Sequence, residues 1–343
     1  MLGTLRRRIF FGGALGTVGV SVGIVVLLVA PGGLASGLLP GTQALGPKAP
    51  PSCSVGPNPA FPAYDPANGY IYVPNEYSAN VTVVKTPCTV VATIGLPTGA
   101  EPYAAAFDPE DNYVYVTDPA LNQVYVLSGT ALLTTLNDGR FSAPLGITYD
   151  PAGAGMLVTN PGTNNVTLVF GTSEFATIFS VGQQPGAIGI DPVFVNSIEI
   201  ALPSVDEFVA MAPNYPWYGA PTNSYYFGTG TPVSQMAYDP TLPGMYFTNP
   251  STNNVTVFAS AAAFEESVNV GKQPEGLCYS TSDQNMYVMN FDSNSISEIN
   301  PSLAVTHTLK LGSGVSPYGC TYDAATGKVY VTGYHSGQIY VLS

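Results

Sequence analysis

An aspartate followed by an apolar-alternating run recurs along this chain every forty-odd residues, and that recurrence constrains the fold more than any single motif. The anchors are Asp65, Asp108, Asp150, Asp191, Asp239 and Asp323, with Ser280 in sixth place, at steps of 43, 42, 41, 48, 41 and 43. Seven residues after each anchor begins a block of thirteen, and the seven blocks align without a gap. They read YVPNEYSANVTVV from Tyr72, YVTDPALNQVYVL from Tyr115, LVTNPGTNNVTLV from Leu157, IEIALPSVDEFVA from Ile198, YFTNPSTNNVTVF from Tyr246, YVMNFDSNSISEI from Tyr287 and YVTGYHSGQIYVL from Tyr330. Each block has β-branched and aromatic flanks around an Asn/Pro/Gly/Ser centre, which predicts strand, turn, strand.

A proline stands before every anchor (Pro59, Pro102, Pro144, Pro185, Pro232, Pro274, Pro317) and opens the first strand of the unit, where its missing N–H costs least. Ahead of it runs a further strand, such as Val90–Ile94. Four antiparallel strands at this period predict an all-β, seven-bladed propeller of about forty-two residues per blade over residues 50–343. The last unit stops at Ser343 after its third strand. Residues Ser54 to Pro59 match the fourth-strand endings Ser180–Pro185 and Asn269–Pro274, so the N-terminal strand is expected to complete the last blade and close the ring.

Composition agrees with short strands and tight turns: charged residues are 9% of the chain, against 37 Gly and 31 Pro. All 22 acidic residues lie beyond position 60, and past residue 30 only six basic residues oppose them. Such a surface repels phosphate backbones, which excludes nucleic acid as a partner. Residues 1–30 read as a targeting segment: Arg6, Arg7 and Arg8 precede an uncharged run from Ile9 to Ala30, long enough to span a bilayer as one transmembrane helix with its N-terminus inside. The alternatives are a cleaved signal peptide, given the small residues Gly33 to Ser36, or a twin-arginine export signal at Arg7-Arg8. Residues 31–49, rich in Gly, Pro and Ala, form a linker. The propeller is therefore expected outside the cytoplasm, anchored to the membrane through residues 9–30 or secreted.

The block Tyr115-Val116-Thr117-Asp118 and its counterpart Tyr246-Phe247-Thr248-Asn249 resemble the YVTN-type propeller repeat over residues 51–343. That resemblance implies a surface-layer or periplasmic protein and leaves the activity open, since propellers carry lyases, lactonases, quinoprotein dehydrogenases and plain binding modules. Blade four departs from the pattern at Ile198-Glu199-Ile200-Ala201 and has a longer return.

Among chemistry-bearing residues, the anchor aspartates are expected to cap turns. His307 and His335 fall at opposite radial positions and do not share a metal. The ligand-facing turns gather Glu76, Asp118, Asp206 and Asp292, and Glu275 leads into a first strand. With Asn75, Asn160, Asn249 and Asn290 they offer oxygen ligands for a hard cation such as Ca²⁺. Asn80, Asn165 and Asn254 each begin an Asn-Val-Thr glycosylation acceptor, a motif the repeat itself also generates. The four cysteines fit an oxidising compartment. A Cys53–Cys88 bond would lock the ring closure, while Cys278 and Cys320 point either towards each other across the sixth and seventh blades or directly away. Trp217 and Tyr218, on the long return of blade four, suit contact with a glycan or an envelope protein. The reading is a surface-exposed binding or structural module, with an extracytoplasmic propeller enzyme of lyase, lactonase or quinoprotein type as the alternative.

Overall fold

The computed structural model describes residues 49–342 except 194–196, 212–222, 227–231 and 260–263. The proposed membrane segment at 9–30, nearly all of the linker, and Trp217 with Tyr218 lie outside the described residues, within which no helix is long and apolar enough to cross a membrane. The described residues fold as seven four-stranded antiparallel sheets, the blades of a β-propeller. Strands are counted here from the axis outward. In blade 1 they are Ala63–Asp65, Tyr70–Asn75, Asn80–Lys85 and Thr89–Gly95. In blade 7 the first three are Pro317–Asp323, Lys328–Gly333 and Gln338–Leu342, and the fourth is Ser52–Ser54, paired antiparallel with Gln338–Tyr340. The two ends of the described chain thus share one sheet, as the match at Ser54–Pro59 predicts.

Why the second strands lack polar alternation follows from the stacking. Each blade packs face to face on two neighbours, so Val114, Tyr115 and Val116 are all fully buried although successive side chains point to opposite faces. The fourth strands lie at the rim and are mostly exposed, as in Val305–Lys310. The core is a set of inter-blade seams. At the end of the first strand in every blade but the sixth the anchor aspartate is buried, and each of the six accepts a hydrogen bond from the backbone N–H two residues on, for example Asp65 from Ala67 at 2.8 Å and Asp239 from Thr241 at 2.7 Å. The anchors are therefore turn formers.

The seams are stitched by the third letter of the YVTN pattern. Thr117, Thr159, Thr248 and Thr332 are fully buried, and each donates its hydroxyl to a backbone carbonyl of the next blade: Leu145 at 2.9 Å, Gly186 at 2.8 Å, Glu275 at 2.9 Å and Ala60 at 2.9 Å. The same oxygens accept the N–H of Ala104, Gly146, Gln235 and Gly319, at or just ahead of the first strands of their own blades. Three blades have no threonine at this position, and each seam is held otherwise. Between blades 1 and 2 the backbones pair directly, Phe61 N–H donating to Tyr103 and Ala105 N–H to Phe61. Between blades 4 and 5, Phe208 stacks on Phe247 with centroids 4.9 Å apart. Between blades 6 and 7, Cys278 is bonded to Cys320. Close approach at the axis demands small residues: a Cβ on Gly276 would lie 2.1 Å from the Tyr318 carbonyl, and one on Gly319 2.6 Å from that of Ala60.

Blade 4 corrects the sequence alignment by one residue. Asp191 pairs with Ser197, six positions on, whereas Asp108 pairs with Tyr113, five on. The longer connection moves Glu199, not Ile198, into the place of Tyr115. Glu199 pairs with Gly189, whose missing side chain would meet Met245 and Met236 of blade 5, so its carboxyl enters the seam between blades 4 and 5. There the repeat wants a donor: Tyr72 and Tyr115 donate their hydroxyls to the carbonyls of Gly129 and Gly171 in the next blade. A carboxylate cannot donate; a carboxylic acid can. Glu199 is 2% exposed, its Oε2 has no partner, and burial, aided by the Asp191 charge, pushes its pKa up from 4.5 to about 8.

Two stability predictions follow from these seams. Thr159→Val keeps the shape but leaves the Gly146 N–H and the Gly186 carbonyl unpaired, and should cost about 1–3 kcal/mol in urea denaturation. Thr163→Val on the exposed turn should change stability by less than about 0.5 kcal/mol. Because the folded-state pKa of Glu199 is raised, its contribution is fully present below pH 4.5 and is lost as the pH rises towards about 8. Glu199→Gln, which supplies a neutral donor, should match wild type near pH 4.5 and exceed it at pH 9 by about 1–3 kcal/mol; a difference that stays constant over that range contradicts the assignment.

Candidate functional site

Each blade presents two residues to the mouth of the ring, one just after the end of its second strand and one at the start of its first strand or just ahead of it. The first set runs Glu76, Pro119, Pro161, Pro203, Pro250, Phe291, Tyr334 from blade 1 to blade 7, and the second Ala60, Tyr103, Leu145, Gly186, Ser234, Glu275, Tyr318. Blades 2 to 5 carry proline in the turn, which stiffens it and leaves no functional group. Blades 6, 7 and 1 carry two aromatics and a glutamate instead. The mouth is two unlike halves on a ring of like blades.

The unlike half is a contiguous aromatic cluster. Phe61 lies 4.7 Å from Tyr318 and 5.2 Å from Tyr103, ring centre to ring centre, and the Tyr103 and Tyr318 hydroxyls, from blades on either side of blade 1, meet at 3.3 Å. Tyr334 lies 4.9 Å from Tyr318, and Phe291 packs at 5.9 Å from Tyr318 and 5.2 Å from His335. Edge-on and tilted geometries of this kind are the favourable ones for ring quadrupoles. Beneath the cluster is an axial cavity of about 350 Å³ lined by residues in or next to the first strands, among them Ala104, Ile147, Ile188, Gln235 and Leu277.

Two carboxylates flank the rings. Glu76 accepts the Tyr334 hydroxyl at 2.6 Å, and Glu275 accepts Ser234 Oγ at 2.6 Å and Gln273 Nε2 at 2.8 Å. Burial pushes Tyr103 up to about 12, with the charges of Glu275 and Glu76 adding to it. Burial likewise raises Tyr318, next to Tyr103 and the same two glutamates, and raises Tyr334, which hydrogen-bonds Glu76. All three phenols therefore stay neutral donors at physiological pH. The ion pairs among the described residues are Arg140–Asp138 and His307–Glu298, so neither mouth glutamate has a cationic partner there.

Of the five carboxylates expected to hold a cation, Glu76 and Glu275 come to this one place. Asp118 is buried and saturated, taking the N–H groups of Ala120 and Leu121 and the Tyr125 hydroxyl within its own hairpin and the N–H of Glu101 from the lead-in to the first strand. Asp206 sits in the blade-4 turn with a left-handed backbone, φ 58°, and Asp292 is exposed on the blade-6 turn. Among the described residues no three His, Cys, Asp or Glu side chains gather as a metal site. The asparagines expected as further ligands are buried staples instead. Asn75 Nδ2 donates to Asn80 Oδ1 and Thr82 Oγ1 while its Oδ1 accepts Gly56 N–H, and Asn160 and Asn290 repeat the arrangement. Asn249 donates in the same way to Asn254 and Thr256.

That staple explains the three acceptor motifs. Asn80, Asn165 and Asn254 are its second members, and Thr82, Thr167 and Thr256, at most 2% exposed, are its third. Cys53 of the closing strand is bonded to Cys88 of blade 1, with sulfurs 2.03 Å apart. With Cys278–Cys320, blade 7 is bonded covalently to both neighbours. Sequence reasoning missed the aromatic half of the mouth, although its signal is there: the residue after the strand-end Asn, Asp, Leu or Gly is proline in four blades and Phe, Tyr or Glu in the other three.

Several solved structures share this architecture. The chain superposes on streptogramin B lyase with a TM-score of 0.72 at 12% identity, over 84% of this chain and 94% of that one. A catalytically inactive virginiamycin B lyase from Staphylococcus aureus with quinupristin gives 0.72 at 11% identity, over 85% and 98%. Hydrazine synthase of Kuenenia stuttgartiensis gives 0.71 at 16% identity, over 89% and 99%. These likenesses establish the fold alone. No family model and no curated protein matches the sequence.

Proposed function

We propose that this chain is a YVTN-type propeller displayed outside the cytoplasm, acting as a rigid binding module whose contact surface is the aromatic half of the mouth. The carrying observation is the break in the repeat: blades 6, 7 and 1 set Phe291, Tyr334, Tyr318, Glu76 and Glu275 in one place, prearranged by ring contacts, by the Tyr334–Glu76 hydrogen bond and by the bonds of Ser234 and Gln273 to Glu275. Seven stacked blades give such a surface little freedom to lose on binding, which favours recognition over rearrangement. The exported location is supported by the charge step at Arg6–Arg8, the uncharged run to Ala30 and two disulfides. Residues 9–30 hold the chain at the membrane, and the partner is an envelope component. The enzymatic alternative draws on the fold likeness to the streptogramin lyases, and fold does not carry chemistry.

A photo-crosslinking residue at Tyr77, 60% exposed beside Glu76, should give adducts in intact native cells. The same residue at Thr172, on the opposite face, should give at least fivefold less. Protease added to those cells should digest the chain beyond residue 50. Equal labelling from both faces refutes the mouth as the contact surface, and full protection until lysis refutes the external placement.

A further inference from the structure

The two mouth glutamates have an environment that selects among ligands. Glu76 and Glu275 receive hydrogen bonds from neutral donors only, Tyr334, Ser234 and Gln273, and no cation among the described residues pairs with either. The charge is left standing over a cluster of half-buried rings, Phe291, Tyr318 and Tyr334, with the exposed ring of Tyr77 beside Glu76. The faces of such rings carry negative potential and attract cations that shed water readily. Rings and carboxylates thus ask for the same charge.

Resting on the binding role proposed above, we propose that this half-mouth takes an organic cation, an alkylammonium or guanidinium group such as a partner presents on lysine or arginine side chains. A hard metal ion is a poorer match. It needs several convergent oxygens at short range, whereas the two carboxylates stand on blades 1 and 6 with no third such group beside them among the described residues. A neutral saccharide would stack on the rings and leave both charges uncompensated. A weakly hydrated cation satisfies both parts of the surface at once, its charge towards Glu76 and Glu275 and its alkyl or planar face on the rings. Among the described residues nothing comparable is seen on the proline half.

The test uses the full-length chain in an uncharged detergent, with tetramethylammonium chloride as probe and sodium chloride holding ionic strength constant. Saturation transfer from protein to the probe methyl protons should be saturable, and the affinity should fall at least tenfold in the Glu76→Gln/Glu275→Gln double variant. Phe291→Leu should weaken it severalfold, and Glu110→Gln on the opposite face should leave it unchanged. Tyr334→Leu, which removes a second ring of the cluster, serves as the check should Phe291→Leu fail to fold, and should likewise weaken binding severalfold. Absence of saturable transfer overturns the proposal, as does equal affinity in the double variant. Displacement of the probe by Ca²⁺ at equal ionic strength with higher affinity overturns it in favour of a metal site. Saturable binding of maltose that survives in the double variant overturns it in favour of a neutral glycan. If mouth-face crosslinks in cells persist while tetramethylammonium does not bind, the binding role stands and the cation assignment falls.

Discussion

A single hydroxyl in each of four blades carries much of the architecture. The strand-two threonine accepts an N–H at or just ahead of its own blade's first strand and donates to a carbonyl of the next blade, so one oxygen fixes both the inner edge of a sheet and the rotation to its neighbour. The site is fully buried, and a buried polar group without its partner costs far more than the bond gains on balance. Two neighbouring blades can therefore meet in one register. Where threonine is absent the seam is held by backbone pairing, stacked phenylalanines or a disulfide. The variety shows that the seam is the constraint and threonine the usual means of meeting it.

The fold was legible in the sequence because its determinants are local and repeated. Anchor aspartate, strand-flanked turn and lead-in proline recur at one spacing, and the closing strand is recognisable as a displaced copy of other fourth strands. Blade 4 was misread by one position because Asp191 to Ser197 is one residue longer than its counterparts, and Ile198, Ile200 and Leu202 mimic the apolar alternation in the wrong phase. Only pairing across the sheet shows that Glu199, not Ile198, faces blade 5.

The site was less legible for a related reason. Carboxylates in turns drew attention as cation ligands, yet Asp118 spends its oxygens on its own blade, and the strand-end asparagines brace the hairpins. Which polar residues remain for a ligand depends on hydrogen bonds to residues 17 to 19 positions away, such as Gly56 to Asn75 and Glu101 to Asp118. The aromatic half needed no such knowledge. It is visible once the blades are aligned and the departures from consensus are read as a set, because the residues that hold a blade together are under the same demand in every blade and those that meet a ligand are not.

The closing strand Ser52–Ser54 is three residues long and lies at the outer edge of blade 7, where the preceding chain joins the ring. Any tension transmitted along that chain would load the strand at its first residue and peel it from Gln338–Tyr340 one hydrogen bond at a time. Cys53 interrupts that peeling at its second residue. Through its bond to Cys88 the force passes into the fourth strand of blade 1, which hangs on a full-length sheet, and the pull is spread over two blades as shear. A pull on that end would thus be met by two blades rather than by the three-residue strand alone.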